Sequence, residues 1–493
     1  MSSAQLVIID GWPIPYNARH AGPPVVRTFP VARHRSESGR RVTHAPSDDT
    51  NHPPEIFGWM MYDWANSAFQ TTVVTVLAGP YLTALAQADV SENGTVLSLG
   101  PLGVVTAKSL FPFCVSASVL LQVFLLPVLG AIADFTNLKK PIMASFCAVG
   151  VVATSLLFFI TGSHYLLGGT LFIAANLCFG GSLVLYNAYL NEIASPDRRD
   201  AVSSRGFAFG YAGGGVLLAL NLALITFRET FGLGQGLAVR ISLLSAGIWW
   251  GGFAAFALSR LRRRPRVLAR PHPSLLRTGL IGIAGTFREL WRLPQTLRYL
   301  AAYMLYNDGI QTVISVSSVV LAQELFVAKG KPVNDAFLIG LVLMIQVVAF
   351  VGALAFERLA ARIGARTAIV ASLVIWVGLV VYAYGWLQTE ADALGMGAVL
   401  GVVLGGSQAL SRSLFSLMIP RGREAAFFSL YEIGERGTSW IGPLIFGIVA
   451  GATGSYRQAI LSLIVLLVAG MGLLLLTDTD AAIRSAEADA LIP

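Results

Sequence analysis

The sequence predicts an all-α membrane protein of twelve spans, arranged as two pseudo-symmetric six-helix bundles. Three observations carry that prediction. Only 13% of the 493 residues are Asp, Glu, Lys or Arg, 55% are apolar and mean hydropathy is +0.67, whereas soluble domains carry about 25% charged residues. Apolar runs of roughly 20 residues, the length that crosses hydrocarbon, follow one another to the C-terminus. Polar residues then recur between the two halves at a constant offset. Together these features exclude a soluble enzyme.

Residues 1–55 form a basic tail rich in Pro, Arg, Ser and His, in which Leu6–Ile9 is stopped by Asp10, so no signal sequence is formed. The tail is expected to be disordered and cytoplasmic. The spans read as 59–86, 109–133, 141–162, 166–190, 206–227, 240–260, 296–322, 336–356, 367–387, 393–418, 426–450 and 456–477. The longest polar interruption separates the sixth from the seventh. The chain thus divides into a first bundle (56–260), a basic linker (261–295), a second bundle (296–477) and a C-terminal tail (478–493).

With both termini placed inside, 28 Lys and Arg fall on inside segments and six outside. That asymmetry accounts for the net charge of +8 by topology, with no nucleic-acid partner needed. Arg262, Arg263 and Arg264 could also touch anionic lipid. Cys114, Cys147 and Cys178 lie in apolar runs without CxxC spacing, which supports neither a disulfide framework nor a thiolate metal site. All six histidines fall in the tail or in loops, and no phosphate-binding loop is present. No metal or cofactor is therefore expected, no enzymatic nucleophile and base converge, and transport would have to draw on a gradient.

The first span of each half carries Tyr, Asn and Gln at four-residue spacing. Tyr62, Asn66, Gln70 and Thr71 match Tyr303, Asn307, Gln311 and Thr312 at an offset of 241. This spacing draws a slowly drifting polar stripe on each helix, which lipid would not tolerate, so the stripes are expected to face a shared cavity. Gly130-Ala-Ile-Ala133 repeats as Gly352-Ala-Leu-Ala355, and Gly180-Gly-Ser182 as Gly405-Gly-Ser407. A duplicated bundle with polar stripes is transporter architecture.

Two segments then resemble a known family. Gly130-Ala-Ile-Ala-Asp134 with Lys139 and Lys140 is similar to the signature between the second and third helices of the major facilitator superfamily. Tyr62-Asp-Trp-Ala-Asn-Ser-Ala-Phe69 resembles the hallmark of its vacuole-effluxer-like branch, as do Gln408-Ala-Leu-Ser-Arg-Ser-Leu-Phe415, Gly442-Pro443, Tyr186-Asn187 and Tyr306-Asn-Asp-Gly309. The resemblance covers about 55–477 and implies the 12-helix facilitator fold, with helices 1, 4, 7 and 10 lining the cavity. It further implies vacuolar amino-acid export as the activity of the better-known members, and a conformational latch at Gly130, Asp134, Lys139 and Lys140.

The residues that could carry the chemistry follow. Tyr62, Asn66, Gln70, Asn187, Tyr303, Asn307, Gln311 and Gln408 are the candidate substrate contacts, with Trp64, Phe69, Tyr189, Ser411 and Trp440 as further cavity wall. Asp63, Asp308 and Glu435 are the candidate proton-coupling groups, because a carboxylate inside an apolar helix is costly unless paired. Asp308 could instead cap a helix bend, and Asp63 could close the inner side. Glu432 is placed to pair with Arg436 four residues on, leaving Glu435 free or facing Arg412. In the second half the acid of the latch is displaced by one residue, from Phe356 to Glu357. The glycines of the fifth span permit close helix packing. The expectation is a secondary transporter of a small polar solute, an amino acid by resemblance, possessing a small-molecule substrate and the lipid bilayer as partners, monomeric, in a cell inner membrane. The alternatives are a transporter-fold receptor or scaffold, and an integral-membrane enzyme.

Overall fold

The computed structural model describes residues 50–91, 94–98, 104–264, 275–332, 334–437 and 441–489. The basic tail up to residue 49 lies outside them. Among the described residues, eleven helices are long and apolar enough to cross a membrane. In the first half these are α1 (Pro53–Val90), α2 (Leu110–Phe135), α3 (Lys139–Phe159), α4 (Tyr165–Ile193), α5 (Pro196–Thr226) and α6 (Gln235–Arg260). The second half contains α7 (Pro294–Lys329), α8 (Asp335–Ile363), α9 (Ala365–Gly385), α10 (Glu390–Leu417) and α12 (Tyr456–Leu476). The linker joins α6 to α7, and the membrane face on which it lies is called the linker face below.

Over the eleventh predicted span, 426–450, the described residues are helical at Glu424–Gly437 and at Ile441–Thr453, together called α11, with 438–440 outside them. Three elements were not anticipated. A hairpin of Thr95–Ser98 with Val104–Thr106 joins α1 to α2. The linker contains a helix, Leu275–Arg292, and the C-terminal tail another, Thr479–Asp489.

Local sequence explains the ends and irregularities. Within α1 the backbone widens to a π-helix over Phe69–Leu77, immediately before Gly79-Pro80. Pro80 removes one donor, and such irregularity is tolerated in a membrane helix when side chains satisfy the freed groups. Here the hydroxyl of Thr75 donates to the Gln70 carbonyl at 2.9 Å. α7 begins with Pro294 in its first turn, where the missing N–H costs nothing. α10 opens on a capping box, with Thr389 and Asp392 satisfying each other's backbone N–H groups.

The glycines of α5 let it lie directly on α1. A Cβ at Gly213 would sit 2.4 Å from the Trp64 carbonyl oxygen, and one at Gly214 2.5 Å from the Thr71 hydroxyl. Any side chain there would push the two helices apart. The halves meet through α2 with α11 and through α5 with α8 and α10. That seam holds a cluster of buried polar residues.

Candidate functional site

At the centre of the seam is a buried arginine. Arg412 projects from α10, and its hydrogen-bond partners among the described residues all belong to the first half. Its Nη1 donates to Asp63 Oδ2 of α1 and to Asn187 Oδ1 of α4, both at 3.3 Å. Its Nε donates to the Ser203 hydroxyl, and Nη2 to the Ser203 carbonyl of α5, both at 3.0 Å. The guanidinium lies 4.2 Å from the Phe207 ring centre and 4.8 Å from that of Trp59. Arg412 is 3% and Asp63 7% exposed, so each charge depends on the other; removing one partner from such a pair typically costs about 3–5 kcal/mol.

Other bonds extend this clasp along the linker face. Asn187 Nδ2 donates to Glu432 Oε1 of α11 at 2.6 Å. Asn191 Nδ2 and Arg199 Nη1 both donate to the Ser416 carbonyl, at 2.9 and 2.8 Å. The Ser203 hydroxyl donates to the Ala409 carbonyl at 2.7 Å. Sequence reasoning named Arg412 only as a possible partner of Glu435 and omitted Ser203, although an arginine inside an apolar helix is itself a signal of function.

A second fastening lies at the end of α2. Asp134, 1% exposed, accepts the backbone N–H groups of Ala425 at 3.0 Å and Ala426 at 2.7 Å. These belong to the first turn of α11, where the helix dipole favours a carboxylate. A Cβ on Gly130 would fall 2.4 Å from the Ala425 carbonyl oxygen, so only glycine admits this backbone. Lys139 and Lys140 do not join this crossing. Lys139 Nζ binds Glu192 within the first half and Lys140 Nζ the carbonyl of Leu261 at the start of the linker, each at 2.7 Å.

The remaining predicted residues separate into groups. Tyr62 turns into the first half, with its hydroxyl 3.0 Å from Cys147 Sγ and its ring against Tyr186. Phe69 packs on Trp250, Trp64 on Trp249, and Tyr189 lies beneath Lys139. All four pack within the first half rather than on a shared wall, and for Tyr62 the reason is that the four-residue repeat drifts around the helix and does not keep one face. Asn66 and Asn307 are buried at equivalent positions, 3% and 1% exposed, and in both the side-chain Nδ2 has no hydrogen-bond partner among the described residues. Gln70 is exposed, Gln311 half-buried, and Gln408 accepts the Tyr211 hydroxyl of α5 at 3.2 Å. The Tyr306 hydroxyl lies 2.6 Å from that of Ser411.

Of the carboxylates, Asp308 accepts the Gly442 N–H of α11 at 2.9 Å through Oδ2, and its Oδ1 has no hydrogen bond among the described residues. Half-buried Glu435 accepts the Tyr303 hydroxyl at 3.3 Å, and Arg412 is taken by Asp63, contrary to the pairing of Glu435 with Arg412. The Arg436 side chain and Trp440 lie outside the described residues, so the expected bond from Glu432 to Arg436 does too.

A family profile described as "Vacuole effluxer Atg22 like" matches residues 51–487. The chain belongs to this family. An MFS-type transporter of Bacillus subtilis, YxiO, is 29% identical over 84% of the chain and 93% of its own length. Autophagy-related protein 22 of Yarrowia lipolytica is 28% identical over 78% of both. Among solved structures, the major facilitator FucP in its outward conformation superposes with a TM-score of 0.62 at 13% identity, covering 86% of this chain and 98% of that one. Human MFSD10, an organic anion transporter, superposes at 0.60 with 14% identity, covering 86% and 100%. This vacuole-effluxer family member is therefore a multi-pass membrane transporter of the major facilitator fold, and not an enzyme.

Proposed function

We propose that the protein carries a small zwitterionic solute, an amino acid or a close relative, by alternating access between the two halves. The observation that supports this reading is the pair Asn66 and Asn307. Two buried amide donors at duplicated positions, each without a partner among the described residues, suit a solute carboxylate, since an unpaired buried donor costs about 1–3 kcal/mol. Glu435 and the free oxygen of Asp308 supply the complementary acceptors for an ammonium group. Gln70, Gln311 and Gln408 complete the polar wall, whereas Tyr62 acts through packing.

In this reading the linker face is cytoplasmic, both termini are inside, the membrane is a cell inner membrane, and the clasp of Arg412 with Asp63 and the latch of Asp134 hold that face closed. Asp63 belongs to the gate. Asp308 is the proton-coupling group, its carboxylate held by a single backbone N–H. The family's description as effluxers supports export. The test is counterflow in proteoliposomes with amino acids, sugars and nucleosides as competing solutes. Selective exchange of amino acids, lost in Asn66→Ala and Asn307→Ala with monodisperse protein, is expected, while equal exchange of sugars would refute the solute class. Asp308→Asn is expected to keep counterflow and lose accumulation driven by a pH gradient; wild-type accumulation in that variant would remove Asp308 from coupling.

A further inference from the structure

The first half holds a cavity of about 330 Å³ whose lining includes none of the residues proposed above for solute contact, a size within the range of small-molecule sites. It lies on the linker face where α2 ends, α3 begins and α4 ends, and it is completed by Arg263 and Arg264 just beyond α6. Its lining carries four cations, Lys139, Lys140, Arg263 and Arg264, and one carboxylate, Glu192.

Two of those charges are already answered. Lys139 binds Glu192 at 2.7 Å, and Arg264 grips both oxygens of Glu55 at 2.8 and 2.7 Å. The other two are not. Among the described residues the Lys140 ammonium donates only to the neutral carbonyl of Leu261. Arg263 is exposed and has no ion-pair partner among them. Two like charges therefore face one polar basin, neither held in an ion pair.

An ammonium beside a guanidinium is a donor set that matches a phosphate, the lysine as a compact charge and the arginine as a planar fork. The position selects the source. The basin opens where an apolar helix enters the membrane, within reach of side chains that extend along lipid, and basic pockets between helices at this level hold phospholipid headgroups.

We propose that this cavity binds the phosphate of an anionic phospholipid headgroup, with Lys140 and Arg263 as its direct ligands. Lys139 and Arg264 shape the rim, held in place by Glu192 and Glu55. The proposal is independent of the transported solute.

The test is thermal unfolding of the full-length protein in detergent micelles titrated with phosphatidylglycerol, with phosphatidylcholine, and with soluble glycerol 3-phosphate or inorganic phosphate. Saturable stabilisation by phosphatidylglycerol alone is expected. Because a cation near an anionic headgroup contributes about 1 kcal/mol, Lys140→Gln and Arg263→Gln should each weaken the apparent affinity about fivefold, and the double variant on the order of 25-fold. Unfolding in phosphatidylcholine, unchanged in the variants, verifies that they fold. Arg421→Gln, which removes an exposed cation elsewhere on the same face, should leave the affinity at its wild-type value. Equal titration of wild type and double variant would overturn the proposal, as would an Arg421→Gln loss as large as that of Arg263→Gln. Equal stabilisation by glycerol 3-phosphate, lost in the double variant, would overturn the lipid assignment and make the pocket a site for a soluble phosphate ester.

Discussion

The two halves use the same repeated segment in different ways at the seam. In the first half Gly130 brings α2 onto the backbone of Ala425, and Asp134 buries its carboxylate against the start of α11. In the second half the matching Gly352 approaches the Val402 carbonyl of α10, within its own half. The acid one residue beyond Phe356, Glu357, crosses to Arg205 of α5 at 2.9 Å, with the arginine side chain 56% exposed. Phe356 instead fills the space over Gly406. Duplication has thus kept the glycine packing in both copies, while a buried carboxylate fastens the halves only through the first. Exposed ion pairs contribute about 0–1 kcal/mol and are screened by salt. A buried carboxylate accepting backbone N–H groups has geometry that water does not replace.

The largest expected effect tests the centre of the seam. Arg412→Met leaves the Asp63 carboxylate buried without its cation, which should cost about 3–5 kcal/mol in thermal unfolding. Adding Asp63→Asn to that variant should restore much of the loss, and failure to do so would remove the ion pair as its cause. Next comes Asp134→Ala, which deletes two charge-assisted hydrogen bonds. About 2–4 kcal/mol is expected, together with greater protease access to the loop between α10 and α11.

Gly130→Val and Gly352→Val then separate the two copies of the motif. Both introduce a backbone clash, and overpacking of this kind costs about 1–3 kcal/mol. Only Gly130→Val should shift the distance between the halves. The smallest effect belongs to Arg205→Gln, at about 0–1 kcal/mol and vanishing as salt is raised. A loss matching that of Asp134→Ala would erase the asymmetry between the junctions.

Much of this fold is legible in the sequence because hydrocarbon thickness fixes helix length, and the constant offset from Tyr62 to Tyr303 exposes the duplication. The linker helix escaped a hydropathy reading because its residues alternate between polar and apolar on a helical period, and their average is too polar to suggest a span. The site was less legible. Asn66 and Asn307 stood out through repetition, but Tyr62, at the same spacing, points into the first half toward Cys147. The acids of the helix that carries Arg412, Glu390 and Asp392, lie in its first turn at the other end, and its partners Asp63, Asn187 and Ser203 come from three other elements. No local pattern could bring those together.

The most direct measurement of the asymmetry is a distance distribution between spin labels on Asp197→Cys, in the first turn of α5, and Arg421→Cys, in the loop from α10 to α11, both exposed on the linker face. The fastening described here predicts a single short population in the otherwise native protein, a second and longer one when Asp134→Ala is added, and no change with Arg205→Gln. A distribution that ignores Asp134→Ala, or one that Arg205→Gln broadens equally, would contradict it.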